Sequence, residues 1–210
     1  MNDILIIGGG GHAKVLASLL KKHEAWNPIG YTDLDDYGTL LSLPYLGTDN
    51  IISSLISDKA LKYAAIGIGM VGSTVNRASI IKNVQASGLS FPAVYSSYSI
   101  VNEEVKVGDG SIIMDGAIIQ PGTRIGSYSI INTGAIVDHD CIIGDHVHLA
   151  PGVTLSGEVE LGDYSLVGTG ASILQGLKIQ DHVIIGGGAT VVSHLGSSGT
   201  YMGVPAKLKA

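Results

Sequence analysis

The second half of the chain carries an aliphatic residue at every sixth position, without a miss. The series is Val101, Val107, Ile113, Ile119, Ile125, Ile131, Val137, Ile143, Leu149, Leu155, Leu161, Val167, Ile173, Ile179, Ile185 and Val191. A period of six drifts out of phase with an α-helix, but it fits a short strand followed by a tight corner. Three such units close one triangular coil. The fifteen hexads therefore predict a parallel β-solenoid of five rungs, each of eighteen residues, with no insertion.

A second set of residues supports the same geometry. The residue four positions after each aliphatic one is small in nearly every hexad, as at Ser111, Ala117, Ser129 and Ala135. Alternating large and small inward side chains suit the narrow interior of a prism. Glycine often stands directly after the aliphatic residue, and we interpret these glycines as corner residues with unusual backbone angles. They are Gly108, Gly126, Gly144, Gly162, Gly168 and Gly186.

The first ninety-five residues show a different pattern, in which strands and helices alternate. Strands are predicted at residues 3–7, 29–32 and 63–67, helices at residues 12–20, 50–57 and about 73–86, and a polar loop at residues 33–38. This alternation predicts a small parallel sheet of Rossmann-like α/β type, with its ligand at the carboxyl ends of the strands. We therefore expect two domains, over residues 1–95 and 96–210.

A glycine-rich turn follows the first predicted strand. Gly8-x-Gly10-x-x-Ala13 matches the dinucleotide fingerprint, and Asp33 falls at the end of the second strand, where a carboxylate can bind a ribose. A nicotinamide dehydrogenase would need a second mononucleotide half, which the solenoid replaces. We interpret the turn as a nucleotide site without redox chemistry; the alternative is a tight turn with no ligand. His12 is either a ligand contact or a helix cap.

Charge and composition exclude several classes of partner. The formal net charge is -6, and the only Lys or Arg residues between positions 101 and 191 are Lys106, Arg124 and Lys178, so no nucleic-acid partner is expected. The single cysteine, Cys141, excludes an internal disulfide. Neither a charged leader nor a membrane-length apolar run is present, so we expect no membrane association and a cytoplasmic location.

One histidine of the solenoid stands between two carboxylates. His139 occupies the third position of its hexad, away from the inward rows, and is flanked by Asp138 and Asp140. A neighbouring carboxylate fixes the tautomer of an imidazole and makes it more basic, which is what a general base needs near neutral pH. A solvated polar residue is the alternative interpretation. Cys141 falls in the small inward row, which indicates a packing role rather than a nucleophile.

The segment from Val137 to Gly152, VDHDCIIGDHVHLAPG, follows a glycine-rich nucleotide domain within a hexapeptide solenoid. This layout resembles the bacterial acetyl-CoA-dependent N-acetyltransferases of nucleotide-linked 4-amino-4,6-dideoxy sugars, within the sialic-acid O-acetyltransferase (NeuD-like) family. The resemblance covers essentially the whole chain and includes the tail from Tyr201 to Lys207. It implies a left-handed β-helix, against the general rule for parallel crossovers. It also implies a homotrimer with active sites between subunits and a product destined for a bacterial surface glycan.

The resemblance assigns roles to individual residues. His139 would be the general base, with Asp140 raising its basicity. Family members often carry Glu at that place, and Asp138 could share the task. The acetyl-CoA contacts would be His148, Gly157 and Gly187, and the nucleotide-sugar contacts would be Gly10, Gly11, His12, Asp33 and Gly67. No metal is expected. Because the solenoid has so few basic side chains, we expect backbone amides, water and Lys207 or Lys209 to meet the phosphates of the coenzyme.

Several alternatives stay open at this point. The acceptor could be a hydroxyl of a sialic-acid-like sugar, and the protein could instead be a non-catalytic, nucleotide-sugar-binding trimeric scaffold. A zinc hydratase on the same solenoid is disfavoured, because His139, His146 and His148 are not spaced as its three ligands. His146 and His182 are interpreted as surface residues, and His194 receives no role. The nucleotide could be a uridine, guanosine or thymidine diphosphate.

Overall fold

The computed structural model describes residues 1–70 and 74–209. The chain divides into two compact units, Met1–Ser97 and Tyr98–Ala210. The helix start predicted near Ser73 lies outside the described residues. No helix in the described part of the chain is long and apolar enough to cross a membrane.

The first unit is the predicted small α/β domain. Its elements are β1 (Asn2–Ile7), α1 (Gly11–Lys21), β2 (Trp26–Thr32), β3 (Tyr45–Gly47), a 3-10 helix (Asp49–Ile51), α2 (Ile52–Lys59), β4 (Tyr63–Ile66), α3 (Thr74–Ala86) and β5 (Val94–Tyr95). Strands β3, β2, β1 and β4 form a parallel sheet in that order, so β1 lies inside it. The side chains of Ile4 to Ile7 are almost wholly buried. The sequence missed β3, because three residues are too few to show a period.

The second unit is the predicted solenoid. Its strands are β6 (Ile100–Val101), β7 (Lys106–Val107), β8 (Ile112–Ile113), β9 (Ile118–Ile119), β10 (Arg124–Ile125), β11 (Ile130–Ile131), β12 (Ile136–Val137), β13 (Ile142–Ile143), β14 (His148–Leu149), β15 (Thr154–Leu155), β16 (Glu160–Leu161), β17 (Leu166–Val167), β18 (Ser172–Ile173), β19 (Lys178–Ile179), β20 (Val183–Ile185), β21 (Thr190–Val191), β22 (Gly199–Met202) and β23 (Lys207–Leu208). Every third strand from β6 to β21 belongs to the same sheet, so the solenoid has three faces.

Neighbouring strands within each sheet, from β6 to β21, are related by the same register shift. Arg124 pairs with Ile142, and Ile142 pairs in turn with Glu160, so each residue lies beside the one eighteen positions later. Parallel pairing at this step makes each rung a template for the next. The aliphatic row points inward, as at Ile131 and Leu149, which are fully buried. The fold class predicted from the sequence, an α/β domain followed by a left-handed parallel β-helix, is confirmed.

The corners differ from the prediction in one respect. The fourth residue of every hexad from Glu104 to Gly188 has a left-handed backbone, with φ between 53° and 78°. The glycines directly after the aliphatic residue do not have such angles. They are required by close packing instead, because a Cβ at Gly108 would lie 2.6 Å from the carbonyl carbon of Gly126 in the next rung. The expectation of unusual backbone angles at these glycines was therefore wrong.

Four of the left-handed corner residues carry rings that stack along one edge. The rings of Tyr128, His146, Tyr164 and His182 are nearly parallel, with successive centroids 5.2, 4.7 and 5.1 Å apart. The eighteen-residue step brings these side chains into register, so the rings stabilise the stack of rungs. His146 and His182 do lie at the surface edge as expected, but they also contribute to packing there.

His194, for which the sequence indicated no role, closes the last rung. Its ring Nδ1 accepts a hydrogen bond of 3.0 Å from the backbone N–H of Lys178. A further rung would normally supply a carbonyl oxygen at this place, as Leu177 does for the N–H of Glu160. The imidazole therefore satisfies a backbone donor where the repeat ends.

The corner geometry predicts a difference between two substitutions of similar size. Gly134 has φ of 67°, and no atom lies within 4 Å of the position that a Cβ would take, so backbone strain alone decides the outcome. Because asparagine tolerates the left-handed region and β-branched residues do not, Gly134→Val should cost at least about 1 kcal/mol more than Gly134→Asn. Equilibrium unfolding in urea measures the difference. Equal stability of the two variants would show that the corner does not impose this angle.

Candidate active site

His139 lies at the corner between β12 and β13, on the outside of the prism. Its side chain is 54% exposed and that of the adjacent Asp140 is 64% exposed. Asp140 is one of the left-handed corner residues, with φ of 57°. The tight corner turns both side chains outward, because the inward positions of this hexad belong to Val137 and Cys141, which are both fully buried.

The two carboxylates beside His139 have different partners. The ring Nδ1 of His139 lies 2.9 Å from Oδ2 of Asp140. Oδ1 of Asp138 instead accepts the backbone N–H of His139 at 2.8 Å. Asp140 therefore orients the ring and Asp138 fixes the main chain. The sequence left open whether both carboxylates share one task, and the geometry separates them.

This arrangement raises the pKa of His139. The main cause is the hydrogen bond to Asp140, and the charges of Asp138, Asp140 and Glu158 act in the same direction, while partial desolvation opposes them. With the Nδ1 proton donated to Asp140, the lone pair on Nε2 is available to accept a proton. A solvated imidazole held in this tautomer and made more basic can act as a general base.

Cys141 directly follows this dyad but faces the interior. It is fully buried, and its Sγ donates a hydrogen bond of 3.3 Å to the carbonyl oxygen of Ser156. Burial raises the pKa of the Cys141 thiol to about 11. A thiol of that pKa is almost entirely protonated near neutral pH, so Cys141 packs the core, as the sequence predicted.

The three predicted cofactor residues lie on different surfaces of the prism. Gly157 occupies the same corner as His139, one rung later, and its backbone N–H has no acceptor among the described residues. His148 lies on β14, in the sheet opposite that corner, where it is 7% exposed and its Nε2 is 3.1 Å from Nδ2 of Asn132. Gly187 lies at another corner, after β20. Within one chain, Gly157 is therefore the only one of these three residues that lies beside His139.

In the first unit, the predicted nucleotide residues come together at the carboxyl ends of β1, β2 and β4. A pocket of about 360 Å³ is lined by all of the predicted residues: Gly10, Gly11, His12, Asp33 and Gly67, together with Gly8, Ile68 and Gly69. The location agrees with the rule that open α/β sheets bind ligands at this edge.

The glycines of this pocket have different reasons to be glycine. Gly8 adopts φ of 103°, and a Cβ at Gly67 would lie 2.7 Å from the Cβ of Ala13, so these two are explained by the turn and by helix packing. Gly10 and Gly11 have no atom within 4 Å of a Cβ position and no left-handed φ. Among the described residues, neither packing nor backbone angle requires glycine at these two positions, so the backbone there is open to the pocket.

Asp33 holds the glycine turn in place. Its Oδ2 accepts the backbone N–H of Gly9 at 2.6 Å, and its Oδ1 accepts the N–H of Leu34 at 2.7 Å. Oδ1 also accepts the N–H of Asp35 at 3.4 Å. Since each carboxylate oxygen has about two acceptor sites, Oδ2 can still accept a bond from a ribose hydroxyl. Asp33 therefore both fixes the loop and faces the pocket.

The sequence missed a neighbouring pocket. It has a volume of about 400 Å³ and shares Gly8 and Asp33 with the first, but it also contains Thr32, Asp49 and Asn50. Thr32 Oγ1 donates a hydrogen bond of 2.6 Å to Oδ1 of Asp49. The pocket was not predicted because β3 was not predicted. Residues 48–50, which help to line the pocket, follow the carboxyl end of that strand.

No three His, Cys, Asp or Glu side chains within the described residues are grouped so that they could hold a metal ion. The acidic and imidazole groups around His139 form a dyad instead of a ligand set. The chemistry that this corner supports is proton transfer by the imidazole and hydrogen bonding by backbone amides.

The pKa of His139 can be tested by NMR titration of its ring. Asp140→Asn removes the negative charge and replaces the carboxylate acceptor with a weaker amide oxygen, so the pKa of His139 should fall. Asp138→Asn is the matched control and should lower it less, because Asp138 contacts only the backbone of His139. An unchanged titration in Asp140→Asn would contradict this assignment.

Two family models match parts of the chain. The PglD N-terminal domain matches residues 3–84, and the bacterial transferase hexapeptide (six repeats) matches residues 122–157. No curated protein sequence matches the chain significantly.

Solved structures match the chain over its full length. The acetyltransferase domain of PglB from Neisseria gonorrhoeae FA1090 is 31% identical, with a TM-score of 0.91 and 100% of both chains covered. A histidine-to-asparagine variant of perosamine N-acetyltransferase from Caulobacter crescentus, in complex with CoA and GDP-perosamine, is 33% identical, with a TM-score of 0.93; 100% of this chain and 98% of that chain are covered. WeeI from Acinetobacter baumannii AYE is 27% identical, with a TM-score of 0.88 and 100% of both chains covered. The chain therefore belongs to the family of bacterial sugar N-acetyltransferases that includes perosamine N-acetyltransferase, and it is an acyltransferase.

Proposed function

We propose that this enzyme transfers the acetyl group of acetyl-CoA to the amino group of a nucleotide-linked 4-amino-4,6-dideoxy sugar, for the synthesis of a bacterial surface glycan. The observation that carries the proposal is the exposed dyad of His139 and Asp140 at a solenoid corner, with the open N–H of Gly157 one rung later. The complex of the Caulobacter enzyme with CoA and GDP-perosamine supports both the donor and the class of acceptor.

The first unit binds the nucleotide in this proposal. The diphosphate lies at the amino end of α1, where backbone N–H groups and the helix dipole favour an anion. Because Gly10 and Gly11 have no side chains, the diphosphate can approach the backbone there. Asp33 accepts hydrogen bonds from the ribose, and His12, in the first turn of α1, contacts the anion. Gly67 lines the pocket but serves mainly to let β4 pack against α1.

The dyad performs the transfer. The neutral amine attacks the thioester carbonyl, and Nε2 of His139 accepts the proton that the nitrogen loses, while Asp140 stabilises the imidazolium. The N–H of Gly157 donates to the oxyanion of the tetrahedral intermediate. The C–S bond then breaks, and the thiolate of CoA receives the proton from His139, which restores the neutral base.

The cofactor site draws on two subunits of a homotrimer. His148 and Gly187 lie on surfaces of the prism away from the corner of His139, so a cofactor that touches both sets needs a neighbouring chain. The exposed side chains of Ile136 (39%) and Ile142 (49%) flank the His139 corner and offer an apolar contact surface for that neighbour. Lys207 or Lys209, beyond the last rung, meets the coenzyme phosphates.

The acceptor is an amine rather than a hydroxyl. The N-acetyltransferase relatives favour the amide product, whereas ester formation on a sialic-acid-like sugar is the remaining alternative. Mild alkali separates the two, because it removes an O-acetyl group and leaves an N-acetyl group in place. The cytoplasmic location stays a prediction from the sequence.

Replacing the base tests this function directly. His139→Ala should lower kcat by about 10²- to 10⁴-fold, because it removes general-base catalysis, and it should leave CoA binding largely unchanged. Release of free thiol from acetyl-CoA, measured with a panel of nucleotide amino sugars, gives the rate. His182→Ala is the control, since this exposed histidine lies at another corner. Turnover by His139→Ala at the wild-type rate would refute the base assignment.

Mixed trimers test the sharing of sites. His139→Ala and His148→Ala subunits should each be impaired alone. When they are co-expressed in equal amounts, about a quarter of the sites should combine an intact His139 with an intact His148 from a neighbour. Recovery of activity to about that level supports a shared site. No recovery in trimers of verified mixed composition would place both residues in the same subunit's site.

A further inference from the structure

A glycine takes an unusual place beside the catalytic dyad. Gly157 lies one rung after His139, and a Cβ at Gly157 would lie 2.5 Å from Nε2, 2.7 Å from Cε1 and 3.1 Å from Cδ2 of His139. The imidazole therefore occupies the space that any side chain at position 157 would fill. Real Cβ atoms do not approach other atoms this closely, so the ring would have to move.

The reason for glycine at this position is specific to the ring. Gly157 does not have a left-handed φ, and the three atoms nearest its Cβ position all belong to the side chain of His139. Gly126 and Gly144 differ, because a Cβ there would meet the backbone of the next rung. Solenoid packing explains those glycines, whereas it does not explain Gly157.

The other member of the dyad also lies against a glycine, although Gly122 is itself a left-handed corner residue with φ of 78°. A Cβ at Gly122, one rung before Asp140, would overlap Oδ1 of the Asp140 carboxylate. The dyad therefore lies between two glycines, each eighteen residues from the side chain that it accommodates. Among the residues that the structure describes, the exposed ring makes one hydrogen bond, to Asp140, so contact with the surface of Gly157 is the second restraint on its position.

We propose that Gly157 is a positioning residue: by having no side chain, it seats the imidazole of His139 in the orientation that keeps the hydrogen bond to Asp140 and directs Nε2 to the acceptor. This rests on the proposed function of His139 as the base. This positioning role differs from hydrogen-bond donation by the backbone N–H of Gly157. An alanine at this position keeps the backbone N–H, but its side chain fills the space that the ring of His139 occupies.

Gly157→Ala is the test. The displaced ring should lose its bond to Asp140, so the pKa of His139 in an NMR titration should fall and kcat should fall by about 10²-fold. The Kd for CoA should stay the same, because the N–H is retained. Gly196→Ala is the control, since Gly196 has no left-handed φ and open space at its Cβ position; it should match the wild type.

The double variant His139→Ala/Gly157→Ala separates positioning from other effects. If Gly157 acts through the ring, adding Gly157→Ala to His139→Ala should not reduce the residual rate further, and the double variant should fold even if Gly157→Ala alone does not. A further loss in the double variant, or a weaker Kd for CoA with an unchanged pKa of His139, would overturn the proposal. If His139→Ala is inactive and Gly157→Ala has wild-type kcat and pKa, the positioning role fails while the base assignment stands.

Discussion

The left-handed backbone at the fourth residue of each hexad is the constraint on which the solenoid depends. It turns the chain by the same amount after every short strand, so that three strands close a rung and each residue lies beside the one eighteen positions later. Once this step is fixed, side chains from successive rungs meet in columns. The stacked rings of one corner and the glycine-seated dyad of another are two results of the same repeat.

The sequence was sufficient for the parts of the fold that repeat. Sixteen aliphatic residues at a constant step fix the length of a rung and the pairing of its strands, whereas the left-handed winding was implied by the family resemblance; the glycine turn before α1 matches the dinucleotide fingerprint. It was insufficient for β3 and for the contacts of individual corners. Glu158 has a left-handed φ and Gly157 does not, because this angle depends on the position in the hexad and not on the residue type. Seven non-glycine residues of the solenoid have a positive φ, so residue type alone does not identify the left-handed positions.

The same limit applies to the site. The sequence placed His139 beside two carboxylates, but only the three-dimensional structure distinguishes Asp140, which holds the ring, from Asp138, which holds the main chain. Likewise, His148 stands nine residues after His139 and yet belongs to the opposite face. Two residues that are close in the sequence of a solenoid need not be close in space. Residues nine positions apart are separated by half a rung, whereas residues eighteen positions apart are in contact.

The central claim is that the imidazole of His139 must be neutral to accept the proton of the acceptor amine. The most direct measurement is kcat/KM for acetyl transfer as a function of pH, compared with the NMR titration of His139 in the same enzyme. The account predicts that activity is lost on acidification with the pKa at which His139 itself becomes protonated, which lies above the ordinary histidine value. A kcat/KM that stays constant while His139 titrates would contradict it.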